Sequence, residues 1–435
     1  MVTPQHRSLG PIRLAPGVTP RHALCYLFAA FVSIGLFTFF SALTPYVLQV
    51  NLALPQALHG RVSGNLQFWQ EIVLLATIGL WGALSDRVGR RAVYVLGFCV
   101  LTAGYALYAF ATSVPQLIAY RLVLSLGIAA AAAMLTTIIA DYPDESSRGT
   151  LTGIAFFLNG VGAVVFSLGL MKLPLVFEGT GIDHLWSGRY AFLTAALIAL
   201  IAALVMLGLK PGRPDASAPR TPLLRLLMDG LEAARQPRIA LCYGSAFAAR
   251  ADMAIITLFI TLWVAQSGTA AGATAPEATA KAGMILGIPL GTALLWSAVF
   301  GVIADRVNRV TVLNLGFFLA VLGYGWVGLV DNPAAPEAIP ALVLLGIGQS
   351  STVLASTLLL GQEAPRHLRG SVFGLQSFFG GLGILAISAG GGWLFDAIGP
   401  AAPFGAMAVA NGIVLLWGLA LWSIERRQAA ALART

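Results

Sequence analysis

The sequence predicts an all-α membrane protein with twelve transmembrane helices in two repeating halves. Three observations carry this. Of 435 residues, 58% are hydrophobic and only 10% are charged, whereas a soluble domain carries about 25% charged residues. Twelve apolar runs are each long enough to cross a hydrocarbon core of about 30 Å, which takes roughly 20 helical residues. A short basic loop from Gly82 to Arg91, GALSDRVGRR, returns in degraded form from Gly301 to Arg309, GVIADRVNR, at matching places in the two halves.

In chain order, residues 1–21 hold arginines and prolines and form a tail. The first apolar run is too long for a signal-peptide core of about 7–15 residues, so it is expected to remain as helix 1, near 22–50. Helix 2, near 66–85, stops at the basic loop, where Gly89 permits a tight turn. Helices 3 to 6 follow near 92–112, 115–141, 149–173 and 189–209. The polar stretch 210–237 separates a first six-helix segment, 22–209, from a second, 238–424. Within it Leu223, Leu224, Leu227, Met228 and Leu231 form one helical stripe. That pattern suits a short amphipathic helix on the inner membrane surface or a solvated linker helix. Helices 7 to 12 are read near 238–266, 281–303, 310–330, 338–362, 370–395 and 402–424, with 425–435 as a second tail.

Orientation follows from Lys and Arg. With the amino terminus inside, twenty of the 26 basic residues fall in cytoplasmic segments. Only Arg61, Lys172, Arg189 and Lys281 fall in outer loops, and Arg121 and Arg250 lie within helices. Both termini are therefore expected in the cytoplasm, with the chain spanning the cell inner membrane. A net charge of +8 would suggest nucleic acid in a soluble protein, but here the arginines alternate with apolar runs, so no nucleic-acid partner is expected. Cys25, Cys99 and Cys242 each lie in an apolar run without metal spacing, as small buried apolar residues do. No metal and no cofactor is expected. No P-loop, G-x-S-x-G or acid–His pair is present, so the chain does not read as an enzyme.

GALSDRVGRR resembles the signature loop between helices 2 and 3 of the major facilitator superfamily, G-x-L-x-D-R-x-G-R-R/K. The second copy carries Asn308 in place of the glycine. The resemblance implies two pseudo-symmetric six-helix bundles and a secondary transporter working by alternating access. It also implies a cytoplasmic charge cluster that locks the outward-facing state, mapping here to Asp86, Arg90 and Asp141. The second half offers Asp305, Arg309 and Glu363. Independently, Arg90 follows Asp86 by four residues, a spacing at which side chains meet on a helix turn. The alternative is that Arg87, Arg90 and Arg91 only fix topology. Arg121, with Gly127 beyond it, resembles the superfamily's helix-4 motif R-x-x-x-x-x-G, tied to proton coupling. Its usual partner, an acid in helix 1, is missing here.

Ionisable residues at a helix centre cost about 2.5–3.5 kcal/mol on insertion scales, so each needs a partner, a wet cavity or a function. There are four: Glu71, Arg121, Arg250 and Asp252. Glu71 lies at a depth similar to Arg121 and can stand in as its partner, in coupling or as a plain structural pair. Arg250 and Asp252 are two residues apart, about 200° around a helix, and do not face each other. The spacing between the two loop copies sets them opposite Phe31 and Ser33. The guanidinium of Arg250 offers a planar fork matching a carboxylate. Candidate solute-lining residues are Arg250, Tyr46, Asn159, Tyr243 and Gln349. The glycines Gly380, Gly381, Gly383 and Gly390 to Gly392 in helix 11 fit close packing better than ligand contact.

The expected function is transport of a small organic solute, an organic anion, by proton symport. Glu71 or Asp252 titrates, and Arg121 takes part. The alternative is efflux of apolar or cationic compounds, drawing on Phe37, Phe39, Phe40 and Tyr46. Helix 5 lacks the Gly-Pro-x-x-Gly-Gly signature of proton–drug antiporters and reads Asn159-Gly160-Val161-Gly162 instead. A non-transporting sensor is the third reading. The partners implied are solute, protons and membrane lipid, and the chain is expected to act as a monomer.

Overall fold

Twelve helices in the described residues are long and apolar enough to cross a membrane. They are α1 (Pro20–Ala42), α2 (His59–Val88), α3 (Arg90–Tyr108), α4 (Val114–Asp141), α5 (Arg148–Leu170), α6 (His184–Met206), α7 (Pro237–Ile255), α8 (Ala275–Arg306), α9 (Arg309–Val327), α10 (Ile339–Glu363), α11 (Arg369–Ala397) and α12 (Ala402–Leu432). The computed structural model describes residues 8–212, 223–365 and 368–432, and of 223–227, Arg369 and 429–432 the backbone alone. Arg7, Arg213, Arg220, Arg366 and Arg434 lie outside the described residues, as do the side chains of Leu223, Leu224 and Leu227. The linker holds a helix over Leu223–Ala233, on which Met228 and Leu231 are exposed.

Helix ends follow the local chemistry. Thr19 caps α1, accepting the His22 N–H, and Pro20 opens the helix, where its missing N–H costs nothing. Ser113 and Asp183 cap α4 and α6 in the same way. At the first basic loop Gly89 has φ of 102°, a conformation that favours glycine. At the second, Asn308 has φ of −57° and its side chain accepts the Val310 N–H. Asparagine therefore replaces glycine by capping α9. α1 and α7 each run on into a π-helical turn, Val47–Asn51 and Ile256–Ile260.

The chain forms two compact units. Unit 1 holds Met1–Gln56, Trp69–Ser217 and Gly268–Gly287, and unit 2 holds Ala57–Phe68, Ala218–Ser267 and Ile288–Thr435. A division at the linker was expected, and two segments depart from it. Residues 57–68 group with unit 2 because Asp396 of α11 accepts the backbone N–H groups of Gly60 and Arg61, at 2.8 and 2.7 Å. Residues 268–287 group with unit 1, where Ser167 Oγ donates to the Gly283 carbonyl at 3.1 Å.

Residues 8–18, the described part of the chain ahead of α1's cap, are held in place. Strands β1 (Ser8–Leu9) and β2 (Ile12–Arg13) pair antiparallel, and Ile12, Leu14 and Val18 are buried. The Arg13 carbonyl accepts the Asp144 N–H, and the Ala15 N–H donates to the Tyr142 carbonyl. The segment is thereby tied to the α4–α5 loop.

The two units repeat at the level of single contacts. Gly162 of α5 faces the Phe31 carbonyl of α1, and Gly383 of α11 faces the Phe247 carbonyl of α7. Tyr105 of α3 donates to the Leu36 carbonyl at 2.6 Å, and Tyr324 of α9 donates to the Asp252 carbonyl at 2.9 Å. In this register Arg250 and Asp252 correspond to Ile34 and Leu36, and the match to Phe31 and Ser33 is corrected by three residues. A constant spacing fails because the stretch between α7 and α9 is longer by those residues than that between α1 and α3.

Candidate functional site

The α2–α3 turn builds the first constellation. Gly89 turns the chain so tightly that α3 starts at once, folding Arg90 back over the last turn of α2. Its Nη1 lies 2.6 Å from Asp86 Oδ1, its Nε lies 3.1 Å from Asp141 Oδ2 at the end of α4, and Nη1 also meets Ser85 Oγ. The two acids mapped from the resemblance, Asp86 and Asp141, thus share Arg90. In unit 2 Arg309 reaches Asp305 at 3.3 Å and donates to the Ala304 carbonyl. Glu363 does not join them. Arg238, at the start of α7, takes Glu363 at 2.7 Å and grips Glu425 of α12 with two bonds of 2.7 and 3.0 Å. Gln236 completes this cluster on Glu363 at 2.9 Å. Sequence reasoning missed this cluster: Arg238 counts there only as one of the cytoplasmic basic residues, and nothing local marks Glu425.

Arg121 is fully buried in unit 1. Its Nη1 lies 3.1 Å from Thr44 Oγ1, and its guanidinium stands 4.1 Å from the centre of the Phe40 ring. The end of helix 1 therefore offers this arginine a hydroxyl and an aromatic face, and a desolvated cation–π contact is worth about 2 kcal/mol. Glu71 of α2 is buried.

In unit 2 Asp252 has no exposed surface. Asn411 Nδ2 of α12 donates to its Oδ1 at 2.9 Å, and Thr352 Oγ1 of α10 lies 3.4 Å from its Oδ2. Arg250 points elsewhere, as its helical angle requires. It is exposed and lies over Gly380 of α11, where a Cβ would come within 2.6 Å of Arg250 Cγ. Neither Arg250 nor Asp252 forms an ion pair among the described residues.

The remaining solute candidates divide. Tyr46 is buried with its hydroxyl on the His184 carbonyl. Tyr243 donates to the Gly230 carbonyl at 2.9 Å and stacks on Phe379, fastening the linker helix to α7. Both tyrosines therefore tie helices together through their hydroxyls. Gln349 is half-buried. Asn159 is half-buried, and its Oδ1 finds no hydrogen-bond partner. The repeat relates Arg250 to Ile34 and Asn159 to Gly380. Three residues on from Phe31 and Phe247 stand Ile34 and Arg250, and three back from Gly162 and Gly383 stand Asn159 and Gly380. Each unit thus carries one polar side chain at the same level of the same helix seam, from α5 in one and from α7 in the other.

The sequence matches the family model of the Major Facilitator Superfamily over residues 23–388 and 242–434. The chain belongs to this superfamily. It is 28% identical over 418 residues to magnetosome protein MamH of Paramagnetospirillum magneticum, covering 94% of each chain. It is 27% identical over 391 residues to MamZ of the same organism, covering 86% of this chain and 59% of that one. It is 25% identical over 311 residues to the minor myo-inositol transporter IolF of Bacillus subtilis, covering 69% and 67%. Among solved structures, the nucleoside transporter NupG superposes with a TM-score of 0.69 at 15% identity, over 92% of this chain and 98% of that one. A bacterial homologue of the human lysosomal transporter Spinster gives 0.65 at 16%, over 92% and 95%. These two share the fold. As a superfamily member the chain is a multi-pass membrane transporter, of a family whose members bind small-molecule substrates.

Proposed function

We propose that this superfamily member is a secondary active transporter moving a small organic anion by alternating access, with protons as the coupling ion. One observation carries the reading: Arg250, in the middle of a membrane helix, is exposed and forms no ion pair among the described residues. Its fork suits a carboxylate in two bonds. Asp252 is turned inward onto Asn411 and Thr352 and leaves that charge free for a solute. Asn159 of unit 1, half-buried with an unpartnered Oδ1, is a separate candidate for polar contact with a solute. IolF is named for myo-inositol, a hydroxylated solute that such hydrogen-bonding groups suit. Of the aromatic residues on which the efflux alternative draws, Phe39, Phe40 and Tyr46 are buried and Phe37 is half-buried, which favours the anion reading.

The coupling acids are Glu71 and Asp252, and Arg121 sits beside the path of charge. The Asp86–Arg90–Asp141 cluster serves as the gate, and the Asp305–Arg309 pair is its weaker counterpart. Twenty basic residues against four support cytoplasmic termini in a cell inner membrane, with the monomer as the working unit.

Arg250→Lys tests the substrate class, since it keeps the charge and loses the fork. Organic anions that raise the melting temperature of the purified protein should bind the variant about tenfold more weakly or worse, the equivalent of ~1.4 kcal/mol. If lipophilic cations stabilise the wild type and compete for uptake while organic anions do neither, the anion reading is wrong. The coupling is tested in proteoliposomes by combining Glu71→Gln with Asp252→Asn. Accumulation driven by a pH gradient should vanish while solute exchange persists, and a double variant that still concentrates solute refutes proton coupling through these acids.

A further inference from the structure

The hydrogen count around Asp252 closes in one way. Asn411 is fully buried and gives an N–H to Asp252 Oδ1 at 2.9 Å, while its own Oδ1 finds no partner. The other carboxyl oxygen, Oδ2, lies 3.4 Å from Thr352 Oγ1. A threonine hydroxyl has one proton to give. Thr352 Oγ1 is 2.9 Å from the Gln349 carbonyl, which can only accept, so the shorter contact takes the proton. The threonine oxygen then turns a lone pair towards Asp252 Oδ2. Two acceptor oxygens that face each other need a proton between them, and the carboxyl group is its source.

The neighbouring elements supply no charge that would change this count. From α9, the Tyr324 hydroxyl gives its single proton to the backbone carbonyl of Asp252 at 2.9 Å; its oxygen also faces the carboxyl group, where with that proton spent it can only accept. α10 contributes Thr352, α12 contributes Asn411, and Arg250 on α7 itself lies over Gly380 of α11. Among the described residues no Lys or Arg pairs with Asp252. An ionised carboxylate here would be wholly buried on neutral donors alone, and an isolated buried ion is strongly disfavoured.

We infer that Asp252 is a proton-carrying site held as the neutral carboxylic acid in this conformation, with Asn411 and Thr352 as its positioning residues. The carboxyl C=O accepts from Asn411, and the carboxyl O–H donates to Thr352 Oγ1, whose own proton goes to the Gln349 carbonyl. When the acid ionises, the Oδ2–H bond breaks, both its electrons stay on the carboxylate and the proton passes to water. The Thr352 hydroxyl then turns from Gln349 to Oδ2 to supply the second donor. This deepens the proposed coupling by naming the atom that carries the proton and the side chain that reports on it.

Infrared difference spectroscopy of the whole protein in lipid tests the assignment. Wild type minus Asp252→Asn at neutral pH should show the C=O stretch of one protonated carboxyl group per chain. Asparagine reproduces the shape and hydrogen bonding of the neutral acid, so this variant should melt like the wild type. Asn411→Leu removes the donor to the C=O and should move the band to higher wavenumber, a change that helix packing alone would not cause. If Asn411→Leu does not fold, the wild-type comparison with Asp252→Asn decides by itself. A difference spectrum without a protonated carboxyl band overturns the inference, even if the double acid variant loses proton-driven accumulation. If the band is present while that variant still concentrates solute, the coupling reading falls and the neutral Asp252 stands.

Discussion

Arg90→Ala is expected to cut net transport at least about tenfold, equivalent to ~1.4 kcal/mol, with the fold intact. The side chain ties the last turn of α2 and the end of α4 to the start of α3, through Asp86, Asp141 and Ser85. Its contribution to stability is small by comparison. An i,i+4 pair is worth about 0.3–0.5 kcal/mol and a half-exposed cross-helix pair up to about 1 kcal/mol, against a total of roughly 5–15 kcal/mol for a folded protein. A large functional loss with an unchanged melting temperature therefore isolates gating from folding and from topology. Asp86→Asn keeps an acceptor for Arg90 and removes the charge, so it should express normally and transport less. Arg309→Ala should have the milder effect, because Asp305 is three-quarters exposed and the pair is longer, at 3.3 Å. Proteoliposome uptake and thermal unfolding of the same preparations measure both quantities. Wild-type transport in Arg90→Ala would leave these arginines as topology determinants only.

The parts of this arrangement that could be read from sequence are those set by local rules. Asp86 and Arg90 are one helix turn apart, so their meeting follows from spacing. The divergence of Arg250 and Asp252 follows from two steps around a helix. The partner of Glu363 does not follow, because Arg238 and Glu425 come from helices far away in the chain and nothing local distinguishes them from other helix-end charges. The helix-tying bonds of Tyr46 and Tyr243 are illegible for a different reason. A hydroxyl on an apolar helix looks the same whether it meets a solute or the carbonyl of a neighbouring helix. The hairpin at Ser8–Arg13 was invisible because two residues per strand give no periodicity to read. Nothing in the sequence marks Asn411 and Thr352, and only the atoms around Asp252 give them a role. Of the helix 11 glycines, Gly380, Gly383, Gly391 and Gly392 pack closely while Gly390 meets nothing within 4 Å, and the packing partners were not legible.

Those glycines lead to a large expected effect on the fold itself. Gly162→Val and Gly383→Val should each destabilise the protein by about 1–3 kcal/mol or more. The reason is the same in both units. A Cβ on Gly162 would run into the Phe31 carbonyl, and one on Gly383 into the Phe247 carbonyl. A backbone carbonyl cannot swing aside as a side chain can, so α1 must part from α5, or α7 from α11. In lipid no hydrophobic force restores such a seam, because the acyl chains are as apolar as the residues that would separate. Gly153 on α5 and Gly374 on α11 provide the control, since a Cβ at either position meets nothing within 4 Å. Gly153→Ala and Gly374→Ala should be neutral or slightly stabilising, as alanine is the better helix former by about 0.5–1 kcal/mol. Thermal unfolding in one detergent compares the four variants. If Gly162→Val and Gly383→Val melt with the two alanine controls, the seams are not close-packed. Asn159 and Gly380 lie three residues from these glycines, on the same helices, and Arg250 lies against Gly380. Parting the seams therefore displaces the groups proposed to hold the solute, and solute-induced stabilisation should fall in step with the melting temperature.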